Sequence, residues 1–505
     1  MATNIGELIE RASRRHATRV AVVDGDRRLT FAEVGDRSGR LANALLATCE
    51  PGARVGLLLS NRLEFVEADF AIARAGMVKA PINPRLTDDE RAHILTNCSA
   101  EVLITEESEL ERVAAQRDGL PDLRRVVVVG GADYADLLAA SSPAVAPRTV
   151  DLDAPSMILH TSGTTGRPKG ATTSQRSRLA SMQSMVLDEY TPGVGDGMVH
   201  VAPMSHGSGS KILAFFTRGA KNLTLSKFDP ATFFEAMRSQ GGTSTFVVPT
   251  MIRMVLDADA GRGEIPDIRN ITYGGSPMPM ALAEEAIAAF GPVLTQVYGS
   301  CEAPHPVTSL SHLDHVADGG ARLGSAGFVA SGVEVRIVDA DGRDVGSDEP
   351  GELLIRGANV MLGYWNDPTA TDKVFVDGWY RSGDIAQRSA TGLVSIVGRE
   401  REMLISGGLN VYPAEVEAVL HRHDGVSEAA VFGMPDDLWG EVVAAAIVTR
   451  AGRTASAEDI RNHCMESLAG YKLPRQIFFV DELPKGNTGK VSKKELVALG
   501  AGGHA

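Results

Sequence analysis

Apolar positions in this chain switch repeatedly between two periods. Spacings of three and four residues in "FAEVGDRSGRLANALL" and "EFVEADFAIARAG" predict amphipathic helices, whereas the short continuous runs "RVGLLLS", "EVLITE" and "RRVVVVGG" predict buried strands. The alternation continues through "STFVVPTMIRMVLD", "NITYGG" and "ALAEEAIAAFG", which makes the fold class α/β, with helices and strands in layers. Then the rhythm changes. "GVEVRIVDADGRDVGSDEPGELLIRG" reads as strands joined by Asp-Gly and Pro-Gly turns, a β-rich subdomain before residue 400. Beyond it, a helix near Pro413 to Arg422, strands near Glu428 to Phe432 and Val442 to Thr449, a helix near Ala457 to Leu468 and a strand near Gln476 to Val480 predict a small α+β unit. The expected domains are 1–400, large and N-terminal, and 401–505, small and C-terminal.

Composition acts mainly by exclusion. The 505 residues, 44% hydrophobic and 23% charged, hold no apolar run near the roughly 18 to 20 residues that a bilayer crossing needs. No secretory pattern opens the chain, so a cytoplasmic location is expected. A formal charge of -14 without long basic tracts argues against a nucleic-acid partner. Cys49, Cys98, Cys301 and Cys464 lie far apart with no C-x-x-C pair, which argues against a zinc site and a disulfide framework.

Candidate chemistry concentrates in "LHTSGTTGRPKGAT", Leu159 to Thr172, where hydroxyls, glycines and one lysine follow an apolar run. The P-loop pattern is absent, because Lys169 is followed by Gly170 and the glycine spacing is wrong. The physics is related all the same. Consecutive Gly, Ser and Thr residues can turn several N–H groups and hydroxyls toward one phosphate, and Lys169 adds a point charge.

"HTSGTTGRPKG" at His160 to Gly170 resembles the signature loop of the adenylate-forming superfamily, which includes acyl-CoA synthetases, and further motifs of that family follow in order. The resemblance implies that Thr161, Ser162, Gly163, Thr164, Thr165, Gly166 and Lys169 bind ATP phosphates. "YGGSPMP" supplies Gly274, Gly275 and Ser276 against the adenine, and "QVYGSCE" supplies Gln296, Tyr298, Gly299, Ser300, Cys301 and the Mg²⁺ ligand Glu302. Cys301 stands where the family has Thr, and a thiol donates far more weakly than a hydroxyl. Asp384 of "YRSGD" matches the ribose carboxylate, Arg399 of "GRERE" its neighbouring arginine, and Arg401 the hinge position. His206 of "APMSHGSG" is expected beside the acyl carboxylate, with Gly207, Ser208, Val248, Gly274 and Cys301 around the acyl group. Gly407, Gly408 and Trp439 are expected along the path of the CoA thiol, and Lys490 of "GNTGKVSK" matches the catalytic lysine.

The family's reaction follows from this. A carboxylate attacks the α-phosphate of ATP, pyrophosphate leaves, and a thiol then takes the acyl group while a mobile C-terminal domain turns about Arg401. Preorganised cations at Glu302-bound Mg²⁺, Lys169 and Lys490 would stabilise the charge that builds up. The small residues after His206 suggest room for a bulky or medium-to-long acid. ATP, Mg²⁺ and CoA are the expected cofactor and co-substrates, a carrier-protein phosphopantetheine is the alternative acceptor, and the protein is expected as a monomer or homodimer. The absence of an "FD-x-S" segment disfavours an amino-acid substrate. A non-catalytic nucleotide-binding homologue is the third reading.

Overall fold

The computed structural model describes residues 4–146, 150–161, 167–258, 267–406, 409–436, 440–450, 452–485 and 491–502. Two large sheets dominate the first three hundred or so positions of the chain. A nine-stranded sheet runs in the order Phe328–Val329, Thr308–Leu310, Leu294–Tyr298, Asn270–Gly274, Ser244–Val247, Gly197–His200, Lys221–Thr224, Val20–Asp24, Arg27–Thr30. Its central strands are parallel. A seven-stranded sheet runs Gly363–Tyr364, Gly170–Ser174, Pro155–His160, Val78–Ile82, Arg54–Leu58, Val102–Glu106, Arg125–Val129.

Helices cover these sheets, some of them started by a capping residue and others, such as Leu63–Ala75, without a side-chain cap. Helix Phe31–Leu46 begins at Thr30, whose side chain exchanges hydrogen bonds with Glu33 in a capping box. Its Phe31, Val34, Leu41 and Leu45 are buried with the helix Leu63–Ala75, which is buried nearly all round and ends on left-handed Gly76. Inside that layer Asp69 is bonded to Lys79, Nζ to Oδ1 2.5 Å, and to Arg178 at 3.1 Å. Burial depresses the Lys79 pKa to about 8, with Asp69 holding it up.

An antiparallel sheet of Val333–Val338, Gly351–Gly357, Trp379–Arg388 and Phe375–Val376, with Val394–Arg399 also on Trp379–Arg388, forms the β-rich section. A fourth sheet joins Leu404–Ser406, Leu409–Val411, Gly440–Thr449, Val426–Asp436 and Gln476–Phe479. Helices Pro413–Leu420 and Ala457–Met465 pack on it through Val416, Val419, Leu420, Ile460 and Cys464. The predicted strand at Glu428 is longer than expected, because its partner Gly440–Thr449 continues the ladder to Asp436.

Candidate active site

The candidate residues gather at one edge of the nine-stranded sheet. Strands Gly197–His200, Ser244–Val247, Asn270–Gly274 and Leu294–Tyr298 run parallel, so their carboxyl ends open on the same side. His206, Val248, Gly275 and the segment Tyr298 to Glu302 follow directly from those ends, which is where open parallel sheets bind ligands.

The hydroxyl-rich loop closes an antiparallel hairpin between Pro155–His160 and Gly170–Ser174. Thr161 N donates to Lys169 O at 2.9 Å, fixing its neck. No helix begins at Lys169, so the segment lacks the helix terminus that a P-loop sets against its phosphate. Ser162, Gly163, Thr164, Thr165 and Gly166 lie outside the described residues. Below the neck, burial lowers the His160 pKa to about 3, and its Nε2 meets Asn97 Oδ1 at 2.8 Å.

Strand Gly363–Tyr364 adds to this hairpin and brings a residue that the motifs did not single out. Tyr364 Oη donates to Glu302 Oε1 at 2.9 Å, while Lys169 Nζ stands 5.2 Å over the Tyr364 ring. One phenol therefore ties the loop lysine to the acidic residue. Ser300 Oγ accepts from the N–H groups of Glu302 and Ala303, and Met361 N donates to Glu302 O at 2.7 Å, so the backbone beneath the carboxylate is pinned. Cys301 is half-buried, in no disulfide, and packs against the hydrophobic cluster of the β-rich section.

A second constellation sits four residues before Glu302. Tyr298 Oη donates to Asp384, and Arg399, the cross-strand partner of Asp384, places Nε 3.0 Å from its Oδ1. Burial pushes the Asp384 carboxyl above its ordinary range and the Arg399 charge pulls it back. Burial also raises Tyr298, with Asp384 adding to the shift. Asp384, Arg399 and Tyr298 thus meet although the sequence separates them widely. Arg401 is exposed in the short turn Glu400–Glu402, close enough for its charge to be felt at Asp384 and Tyr364.

Around the expected acyl pocket the structure corrects three expectations. Ser208 does not face the cleft: it is fully buried and bonded to His200 Nδ1 at 2.8 Å, because it lies on the core side of helix Gly207–Thr217. Gly274 is buried in its strand, and a side chain there would meet Val297 O at 2.5 Å, so its missing Cβ serves strand packing rather than acyl volume. Gly207 leaves no open space either. A Cβ at Gly207 would lie 2.7 Å from the Phe246 ring, so that ring fills the gap the glycine makes.

The remaining residues stay at the edge. His206 precedes the helix without capping it by its side chain, whose Nδ1 lies 2.9 Å from Ser205 Oγ, Gly275 adopts φ +83° beside Val248, and Gln296 accepts from Tyr273 at 3.4 Å. Ser276 is exposed and Gly299 packs against the backbone of His305. Gly407, Gly408, Trp439 and Lys490 lie outside the described residues. Besides Tyr364, the motifs overlooked Phe246 and His305. A histidine three residues past "SCE", inside "APHP", was the only available hint of the latter.

Two family models match the chain. The AMP-binding enzyme family covers residues 9–365 and the AMP-binding enzyme C-terminal domain covers 415–490. An indoleacetate–CoA ligase of Aromatoleum aromaticum is 35% identical over 505 residues, 98% of each chain. A feruloyl-CoA synthase of Amycolatopsis sp is 36% identical over 485 residues, 95% of each. Among solved structures, the anthranilate CoA ligase AuaEII in complex with anthranoyl-AMP superposes with a TM-score of 0.91 at 28% identity, covering 99% of this chain and 98% of that one. With matches to both family models and full-length likeness to these ligases, the chain belongs to the AMP-binding enzyme family of adenylate-forming enzymes.

Proposed function

We propose that this protein is an AMP-forming acid–thiol ligase that converts a carboxylic acid, ATP and CoA into an acyl-CoA, AMP and pyrophosphate. The observation that carries the reading is the pairing of two sites at the two ends of one short segment: Tyr298 with Asp384 and Arg399 at its start, Glu302 with Tyr364 and Lys169 at its end. The first is a buried carboxylate held by a cation, suited to accept the two hydroxyls of a ribose. The second places a cation and an anion where a metal-bound polyphosphate needs them.

Glu302 fits Mg²⁺ as a single carboxylate with one oxygen bonded to Tyr364. Among the described residues no group of three potential ligands surrounds it, so phosphate oxygens and water would complete the shell. Bound there, the ion would neutralise charge on the phosphates. The chain's own part is to hold: Tyr364 fixes Glu302, Asp384 orients the nucleoside, and Lys169 faces the polyphosphate. His206, at the start of helix Gly207–Thr217, keeps the place beside the acyl carboxylate that the family resemblance implies.

Lys490 and Arg401 keep the roles the family resemblance implies, lysine for adenylation and pivot for the second step. Relatives named for indoleacetate, ferulate and anthranilate support an aryl substrate, whereas others of similar identity are named for fatty acids and oxalate, so the names alone do not choose the acid. Free thiols at all four cysteines suit a reducing, cytoplasmic setting. The test is acid-dependent pyrophosphate release. A stoichiometric burst without CoA, becoming continuous turnover with free CoA, supports the reading; turnover only with a phosphopantetheinyl carrier would assign the other acceptor, and no acid-dependent release would reject the enzyme.

A further inference from the structure

Helix Gly207–Thr217 shows the cleft one narrow face. His206, Gly207 and Ser210 are partly open, whereas Ser208, Gly209 and Lys211 are buried, the spacing of one helical turn. Opposite Ser210 stands His305, whose ring lies nearly parallel to Phe246, with centroids 5.5 Å apart and 20° between planes. His305 keeps a partly open surface, yet burial and the charge of Lys211 drive its pKa well below the ordinary value. His305 thus presents a small exposed face beside Ser210.

The proton count at this wall is determined by its bonds. Ser210 has one hydroxyl proton, and it goes to Gly207 O at 2.6 Å. At its 3.1 Å contact with His305 Nε2 the hydroxyl must therefore accept, so the proton of the neutral ring sits on Nε2. Nδ1 is left as a bare acceptor, with no hydrogen-bond partner among the described residues. Lys211 keeps it so. Its ammonium is fully buried, bonded to Glu189 and 5.8 Å from the Phe246 centroid, so a second cation on His305 is opposed. A buried ion pair costs several kcal/mol of desolvation, and a plain hydrocarbon pocket has no use for one.

We propose that His305, set by Ser210 and Lys211, makes the end of the acyl pocket a hydrogen-bond acceptor, selecting an aryl carboxylic acid that carries an N–H or O–H donor. The inference rests on the ligase reading of the same cleft and adds the substrate class. His305 would touch the acid directly; Ser210, Lys211 and Glu189 are positioning residues that hold its tautomer and charge. Phe246, buried between Gly207 and His305, backs the His305 ring and fixes its plane.

The experiment compares matched acids on the unaltered protein: hydroxy- and amino-substituted benzoic, phenylacetic and cinnamic acids, each against its O- or N-methylated counterpart, with octanoate alongside. Binding is followed by calorimetry and turnover by pyrophosphate release. The best donor-bearing acid should exceed its fully methylated partner about tenfold or more in both, since the methylated acid leaves Nδ1 desolvated and unpaired. His305→Leu should bring that ratio close to one, His305→Gln, which retains an acceptor, should restore part of it, and Lys211→Met should erode it. Equal use of both acids of every pair, or preference for octanoate, overturns the proposal. Binding that follows the predicted order without any pyrophosphate release would sink the ligase reading and leave this one intact.

Discussion

Replacing Asp384 with Asn changes one charge and almost no volume. The carboxylate is 5% exposed, bonded by Tyr298 and paired with Arg399 at 3.0 Å. Accepting two ribose hydroxyls, it would make two charge-assisted hydrogen bonds of about 1.5–3 kcal/mol each, of which an amide oxygen preserves only a weaker one. The expected loss is about 2–3 kcal/mol, or roughly 30-fold to 150-fold in ATP affinity. Folding should respond far less. Burial raises the Asp384 pKa, so a neutral isostere escapes a cost of the folded state, and Arg399, with 40% of its side chain exposed, stays hydrated without its partner. Stability is therefore expected within about 1 kcal/mol of the parent. Calorimetric titration with ATP and magnesium, beside thermal unfolding, reads both quantities. An unchanged dissociation constant in a folded variant would remove Asp384 from the nucleotide site, and a large loss of stability would make the pair structural instead.

Lys490→Ala should abolish acid-dependent pyrophosphate release while largely sparing thioester formation from supplied acyl-adenylate; equal loss of both half-reactions contradicts a role confined to adenylation. Asp69→Asn should destabilise the protein by about 3–5 kcal/mol in denaturant titration, because it strands the buried Lys79 ammonium that Asp69 touches; a loss below 1 kcal/mol would show that Arg178 rather than Lys79 is its main partner. Burial holds the His200 pKa at about 4, below the unfolded value near 6.5, so the unfolded chain binds the extra proton between those pH values and folding weakens as pH falls. His200→Gln should lack that term, and the stability advantage of the parent over the variant should shrink by about 1.4 kcal/mol per pH unit from 6.5 toward 4; a constant difference would mean that folding leaves the proton affinity of His200 unchanged.

Local order was legible wherever short-range chemistry decides it. Thr30 with Glu33, Thr87 with Glu90 and Ser456 with Asp459 start their helices by capping boxes visible in the letters, and the strand-like runs at Arg54–Leu58 and Val102–Glu106 are central and buried on both faces. Sheet order was not legible, since Val20–Asp24 pairs with Lys221–Thr224 across some two hundred residues by packing that no local pattern encodes. The site divides the same way. Asp384, Arg399, Glu302 and Lys169 carry recognisable motif contexts, whereas Tyr364 reaches Glu302 only because a two-residue strand adds to the loop's hairpin. Ser208 misled because the residues after His206 spiral around a helix, and the sequence does not state which of its faces meets the core. Phe246 filled the space that Gly207 promised, a contact between segments about forty residues apart.

The account stands on attack by a carboxylate oxygen at the α-phosphate. Turnover with an acid labelled with oxygen-18 in its carboxylate, followed by mass spectrometry of the nucleotide, tests it directly. One labelled oxygen should appear in the phosphate of AMP and the pyrophosphate should stay unlabelled; label in inorganic phosphate with ADP as the nucleotide product, or AMP free of label, would contradict it.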